Sequence, residues 1–215
     1  GAGVGSGGEG ARWGWVMTGG EGRLDTGEGL GYVVVREGCG RGKRPGGVGR
    51  LMTNLAVENA LGELGVSFAR AKVGDRYVLE MMVEHGWLWG GESSGHLLCL
   101  DKHTTGDGIV SALQVLSAIR RSDRSLSELT ADVRLYPHRL INVKIAQGFD
   151  WEGYKPLLDA RVSVEADLGD SGRILIRPSG TEPLLRVMVE AESEALATGA
   201  AERASSSIAA RSMRQ

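Results

Sequence analysis

Cysteine is scarce in this sequence: Cys39 and Cys99 are the two present, and neither belongs to a CxxC or His-rich spacing. Nothing marks a cysteine-based metal site, and a reduced setting is the expectation. An excess of one charge is also lacking. Lys and Arg number 25 against 27 Asp and Glu, a net charge of −2, which gives no electrostatic footprint for nucleic acid or an anionic membrane. Any phosphate must therefore be captured by a local arrangement. No apolar run approaches the roughly 20 residues that span a bilayer. The first residues also lack the basic-then-apolar order of a secretory signal. The expected setting is the cytoplasm, with neither nucleic acid nor membrane as partner.

What is present is a chain of 215 residues, 41% hydrophobic and 24% charged, enough for one large core or two small ones. Two are favoured. Of the 34 glycines, 19 fall in the first 50 residues, where they interrupt each apolar run and raise the backbone entropy that folding must overcome. That segment is expected to be the least ordered. From Leu51 the pattern becomes regular. Thr53 or Asn54 can cap a helix through Leu64 that Gly65 stops, and Val66 to Ala71 reads as a strand. Asp75 begins a second helix that ends at Gly86. Trp87 to Trp89 and Leu97 to Leu100 read as short buried strands. Asp107 caps a helix whose Ile109, Val110, Leu113, Leu116 and Ile119 recur at helical spacing.

Helices alternating with short strands over residues 48 to 120 indicate an α/β layer domain, with Leu140 to Ile145 as its last strand and Ala146 to Lys155 as a linker. Beyond that, Pro156 to Leu168 predicts a helix, Arg173 to Arg177 and Leu184 to Glu190 two strands, and Glu194 to Met213 a terminal helix. These make a small α+β unit. No internal repeat is visible.

Two short runs carry chemistry. In Arg177-Pro178-Ser179-Gly180-Thr181-Glu182-Pro183 a tight turn presents backbone N–H groups, Arg177 a bidentate cation, and Ser179 and Thr181 hydroxyl donors. Those are the parts of a phosphate cradle. Gly91-Glu92-Ser93-Ser94-Gly95-His96 places a carboxylate, two hydroxyls and an imidazole on a glycine-hinged loop, which suits gripping and protonating a polyol. Asp75 and Arg76 read as a helix cap and a surface pair, and His85, His103 and His138 as surface residues. Gly5, Gly7, Gly8 and Gly10 miss the G-x-G-x-x-G spacing of a dinucleotide loop.

Together the two runs resemble the sugar-specificity and phosphate-binding loops of the α-D-phosphohexomutases. Leu51 to Tyr77, with Ala71-Lys72-Val73-Gly74-Asp75-Arg76-Tyr77, resembles the opening of that family's third domain, Thr105-Gly106-Asp107-Gly108 continues it, and Gly172 to Glu190 resembles the fourth. The resemblance covers residues 29 to 203. It implies an α/β fold: an α/β/α layer domain followed by a small α+β, TATA-box-binding-protein-like, C-terminal domain. The implied division is residues 1–30 as the end of the second domain, 31–146 as the third and 147–215 as the fourth. The chain would then be the C-terminal part of a four-domain enzyme, and the family's phosphoserine loop has no counterpart in it.

The wording is closest to members that interconvert glucosamine 6-phosphate and glucosamine 1-phosphate for UDP-N-acetylglucosamine and cell-wall synthesis, so a hexosamine phosphate is the implied partner. The implied activity is intramolecular phosphoryl transfer. A phosphoserine donates to one sugar oxygen, the bisphosphate reorients, and the other phosphate returns to serine. Residue by residue, Glu92 and Ser94 match the pair that reads the sugar hydroxyls, and His96 a possible general acid/base. Arg177, Ser179, Gly180 and Thr181 match the loop holding the non-reacting phosphate, with Arg186 behind it.

The family's second domain ends in an Asp-Gly-Asp-Gly-Asp-Arg loop that binds Mg²⁺. Aligned on Arg12, the candidate catalytic arginine, this sequence reads Gly7-Gly8-Glu9-Gly10-Ala11-Arg12. Glu9 is the one carboxylate left, and Mg²⁺, implied by the resemblance, demands near-octahedral oxygen coordination that these residues do not supply. Ser93, between the two sugar readers, matches none of the family's usual choices, so a phosphomannomutase or phosphoglucomutase stays open. So does a sugar-phosphate-binding remnant without turnover.

Overall fold

The computed structural model describes residues 3–7, 14–18, 24–25, 27–39, 46–92 and 95–212, in two compact units, Gly1–Leu135 and Tyr136–Gln215. The first opens with β1 (Gly3–Gly7), β2 (Gly14–Thr18) and β3 (Leu24–Asp25), an antiparallel three-stranded sheet. After it come α1 (Gly27–Cys39), β4 (Gly46–Arg50), α2 (Leu55–Glu63), β5 (Ser67–Ala71), α3 (Asp75–His85), β6 (Trp89–Gly91), β7 (Leu97–Cys99), α4 (Gly108–Ser122) and α5 (Leu126–Leu129). The second sheet has the order β5-β4-β6-β7, with β4 parallel to β5 and β6 and β7 antiparallel to β6. Helical crossovers are what parallel pairing requires, and α2 and α3 supply them.

Alternate strand residues face opposite layers. Trp89, Leu97 and Cys99 pack with Leu30, Val33 and Val34 of α1, Val57 and Leu61 of α2, and Val115 of α4. Val48, Ala71 and Leu98 pack with Val78 and Met82 of α3. The result is the expected α/β/α layering.

Within the glycine-rich start, residues 8–13, 19–23 and 40–45 lie outside the described residues, and α1 departs from expectation: it is a core helix with Leu30, Tyr32, Val33, Val34 and Val35 all buried. Its glycines are clearances: a Cβ on Gly38 would overlap the Trp89 ring, and one on Gly27 would overlap the backbone at Glu92 and Gly95. The entropy argument was outweighed by close packing, which composition does not reveal. α1 also runs through the expected boundary at residue 30. Helix α4 is capped by Asp107 as the pattern predicts, its carboxylate accepting from the Ile109 and Val110 amides. Ile109, Leu113 and Leu116 are nevertheless exposed, and Ser111, Val115 and Ala118 are the buried residues.

The second unit contains β8 (His138–Lys144), α6 (Lys155–Leu168), β9 (Gly172–Pro178), β10 (Leu184–Ala191) and α7 (Glu194–Ser212). Its sheet is antiparallel with order β8-β10-β9. Strand β8, read from sequence as closing the first domain, pairs with β10 instead, and the division falls at Leu135 rather than at residue 146. An apolar strand carries no label for its partner. Leu185, Val187 and Val189 of β10 pack with Leu157 and Val164 of α6 and Ala197, Ala201 and Ala204 of α7.

Candidate functional site

Strands β4, β5 and β6 run parallel, so their carboxyl ends lie side by side, the edge where open α/β sheets place ligand sites. The register pairs Gly47 with Trp89 and Val48 with Gly90, and continuing it sets Arg50 beside Glu92. The two form a salt bridge through Arg50 Nη1 and Glu92 Oε2, with side chains only 15% and 9% exposed. The segment after β4 is fixed from below. Arg70 of β5 donates to the Thr53 carbonyl at 2.5 Å and the Arg50 carbonyl at 3.3 Å, while its other nitrogens bind Glu58.

The loop between β6 and β7 is a closed turn. The Glu92 amide donates to the His96 carbonyl at 2.9 Å and the Gly95 amide to the Glu92 carbonyl at 3.0 Å. Gly95 has φ of 91°, a conformation that side chains resist, and Gly27 packs against the turn from α1. Glycine is therefore a steric requirement at Gly95 in the loop and at Gly27 beneath it. Beside the turn, His96 Nδ1 lies 3.4 Å from Oδ2 of Asp75, the first residue of α3. A carboxylate at that nitrogen favours the tautomer with the proton on Nδ1 and leaves Nε2 to address a ligand.

Sequence reasoning named Glu92 and His96, and the structure brings them together. It missed Arg50 and Asp75. Asp75 was read as a helix cap, yet no side-chain cap bond forms at Gly74, the N-cap. The signal that could have found both is topological: each ends or follows a parallel strand. Ser94, Glu9 and Arg12 lie outside the described residues. Asp75, Glu92 and His96 each bring one donor atom within 4.8 Å of the others, but the Arg50 guanidinium on Glu92 sets a positive charge against a cation there.

In the second unit, β9 and β10 flank the other predicted loop. The Ser179 amide donates to the Leu184 carbonyl at 2.8 Å and the Leu184 amide to the Glu182 carbonyl at 2.7 Å, leaving Gly180 and Thr181 at the exposed tip. Arg177 and Arg186 are directly opposite in the β9–β10 register, and Asn142 of β8 is opposite Arg186 on its other side. The three form a row across one face of the sheet. Arg186 Nη2 reaches Ser179 Oγ at 3.4 Å, and its Nε is buried with no hydrogen-bond partner. Among the described residues neither Arg177 nor Arg186 forms a salt bridge. Like charges directly opposite in a sheet are destabilising, and an anion at the loop would offset that.

Elsewhere the histidines behave as surface residues: His85 stacks on Trp87 with centroids 4.4 Å apart, and the His103 ring contacts Thr105. Burial pushes the Cys39 thiol up, which disfavours a nucleophilic thiolate.

The phosphoglucomutase/phosphomannomutase alpha/beta/alpha domain III pattern matches residues 26–136, and the phosphoglucomutase/phosphomannomutase C-terminal domain pattern matches residues 140–206. The phosphoglucosamine mutase of Bordetella pertussis is 57% identical over 194 residues, 90% of this chain and 43% of that protein. That of Ralstonia nicotianae is 60% identical over 183 residues, 85% and 41%. The chain thus spans less than half the length of these relatives. Among solved structures, Aspergillus fumigatus N-acetylphosphoglucosamine mutase in complex with GlcNAc-6P and magnesium matches with a TM-score of 0.71 at 17% identity, over 92% of this chain and 50% of that one. A phosphoglucomutase/phosphomannomutase family protein of Burkholderia thailandensis matches at 0.69 and 17%, over 92% and 44%. Domain patterns covering most of the chain, with the predicted sugar and phosphate loops each in its own matched domain, establish that the chain belongs to the phosphoglucomutase/phosphomannomutase family.

Proposed function

We propose that this chain supplies the sugar-reading and phosphate-holding parts of a phosphoglucosamine mutase, the isomerase that converts glucosamine 6-phosphate into glucosamine 1-phosphate. The observation that carries it is the facing pair Arg177 and Arg186 beside the Ser179 to Thr181 turn, two cations held together where a phosphate would compensate both. Identity of 57% and 60% to phosphoglucosamine mutases supports the substrate class. The carboxylate of Glu92 accepts from sugar hydroxyls, with Ser94 assisting. His96, oriented by Asp75, gives and takes the proton at the reacting sugar oxygen. Arg177, Ser179, Gly180 and Thr181 hold the phosphate that is not being transferred, with Arg186 behind them, and Arg12 is the arginine assigned to the one that is. The proposed setting is the cytoplasm, and among the described residues no helix is long and apolar enough to cross a membrane.

Magnesium accompanies the Aspergillus fumigatus relative. In this chain Glu9 is the one carboxylate across residues 7–12. That donor set does not fit the ion. Calorimetric titration of the 215-residue chain tests the function. Glucosamine 6-phosphate is expected to bind at least tenfold tighter than inorganic phosphate, about 1.4 kcal/mol. Equal affinity for the two would overturn the sugar-reading role.

A further inference from the structure

We infer that Arg50 is a specificity-determining residue: by neutralising Glu92 it makes the loop read sugar hydroxyls without regard to a neighbouring ammonium, so that hexose and hexosamine phosphates are accepted alike. The inference rests on the reading of Glu92 as the sugar-facing carboxylate. A bare buried carboxylate would attract the protonated amine of an amino sugar, because opposite charges within about 4–6 Å strongly favour each other away from water. Here the carboxylate is already occupied on Oε2 by a guanidinium. A second cation would gain from Glu92 and lose to Arg50, whereas a hydroxyl donates its hydrogen bond at no such loss. The pair is not an accident of surface side chains. The parallel β4–β6 register, continued past Val48 and Gly90, leads to Arg50 and Glu92, Arg70 anchors the carbonyls of Arg50, Leu51 and Thr53, and both partners are largely buried.

The test is calorimetric titration of the full 215-residue chain with glucosamine 6-phosphate and glucose 6-phosphate, which differ in one substituent, at a pH where the amine is protonated. Wild type is expected to bind the two within about threefold. Arg50→Met exposes the Glu92 charge and is expected to favour the amino sugar by about tenfold, while Arg50→Lys keeps the wild-type ratio. Glu92→Gln leaves Arg50 alone and shifts preference the other way. A wild-type preference of tenfold or more for the amino sugar overturns the inference without any variant, and so does an unchanged ratio in a folded Arg50→Met protein. If neither sugar phosphate binds better than inorganic phosphate, the sugar-reading role of Glu92 fails and the inference falls with it. Sugar binding with an unchanged ratio sinks the inference alone.

Discussion

Around the loop from Gly91 to His96 each carboxylate has a partner, Glu92 the Arg50 guanidinium and Asp75 the His96 imidazole. Around the turn that follows Pro178, two guanidiniums face one another and no carboxylate answers them among the described residues. The sheets explain how each arrangement is reached. Parallel strands bring chain segments far apart in sequence to one edge, so complementary charges can be recruited from β4 and the start of α3. The antiparallel β9–β10 pair instead fixes Arg177 and Arg186 as direct neighbours. The difference teaches what each site is ready for. A compensated site gains little from a charged ligand and is suited to neutral groups, whereas an uncompensated one is stabilised by an anion, since whatever binds only the folded form stabilises it.

The largest effect that can break this contrast is on the compensated side. Glu92→Ala leaves the buried Arg50 guanidinium without its carboxylate and is expected to lower unfolding stability by about 3–5 kcal/mol in urea titration. Replacing both partners together, as Arg50→Met with Glu92→Leu, recovers most of that loss, because a buried pair is worth little against apolar groups of similar volume. A single-variant loss below about 1 kcal/mol, the level of solvent-exposed pairs, would show that the site is screened and the contrast false.

On the uncompensated side the expected effects are smaller and of opposite sign for stability and binding. Arg177→Ala is expected to weaken inorganic phosphate by about 1.5–3 kcal/mol, and Arg177→Lys by less, since a point charge replaces a two-pronged donor. Removing the facing charge with Arg186→Gln is expected to raise stability by about 0.2–1 kcal/mol in phosphate-free buffer while also weakening phosphate. If Arg186→Gln destabilises the phosphate-free protein, the two arginines are not repelling each other and the site is not waiting for an anion.

How much of this was legible beforehand differs between the same two regions. The turn proposed to hold phosphate is local. Arg177, Ser179, Gly180 and Thr181 lie close together in sequence, and flanking apolar strands reveal a hairpin, so its residues could be named together. The loop proposed to read the sugar was half legible: Glu92 and His96 sit on it, but Arg50 comes from 42 residues upstream, and only the β4–β6 register delivers it. Glycine misled for a related reason. In a sequence it reads as freedom, and at Gly27 and Gly38 it is the absence of a Cβ that lets α1 close on the loop backbone and on Trp89. Strand β8 shows the same limit, since its apolar pattern fixes a strand and leaves the choice of sheet to the third dimension.

The smallest effect sharpens the comparison within the compensated site. Unlike Arg50 and Glu92, His96 and Asp75 are 34% and 44% exposed, so solvent screens them and Asp75→Asn is expected to cost under about 1 kcal/mol of stability. Its consequence is for orientation. An asparagine in that place can offer its amide nitrogen as readily as its oxygen, so the carboxylate's preference for a proton on Nδ1 is lost. Nitrogen NMR of the neutral imidazole is expected to show His96 mainly as the Nδ1–H tautomer in the wild type and as a mixture in Asp75→Asn, with the thermal unfolding midpoint nearly unmoved. An identical tautomer ratio in the two proteins would mean that Asp75 merely lies near His96, and that the imidazole takes its orientation from the turn alone.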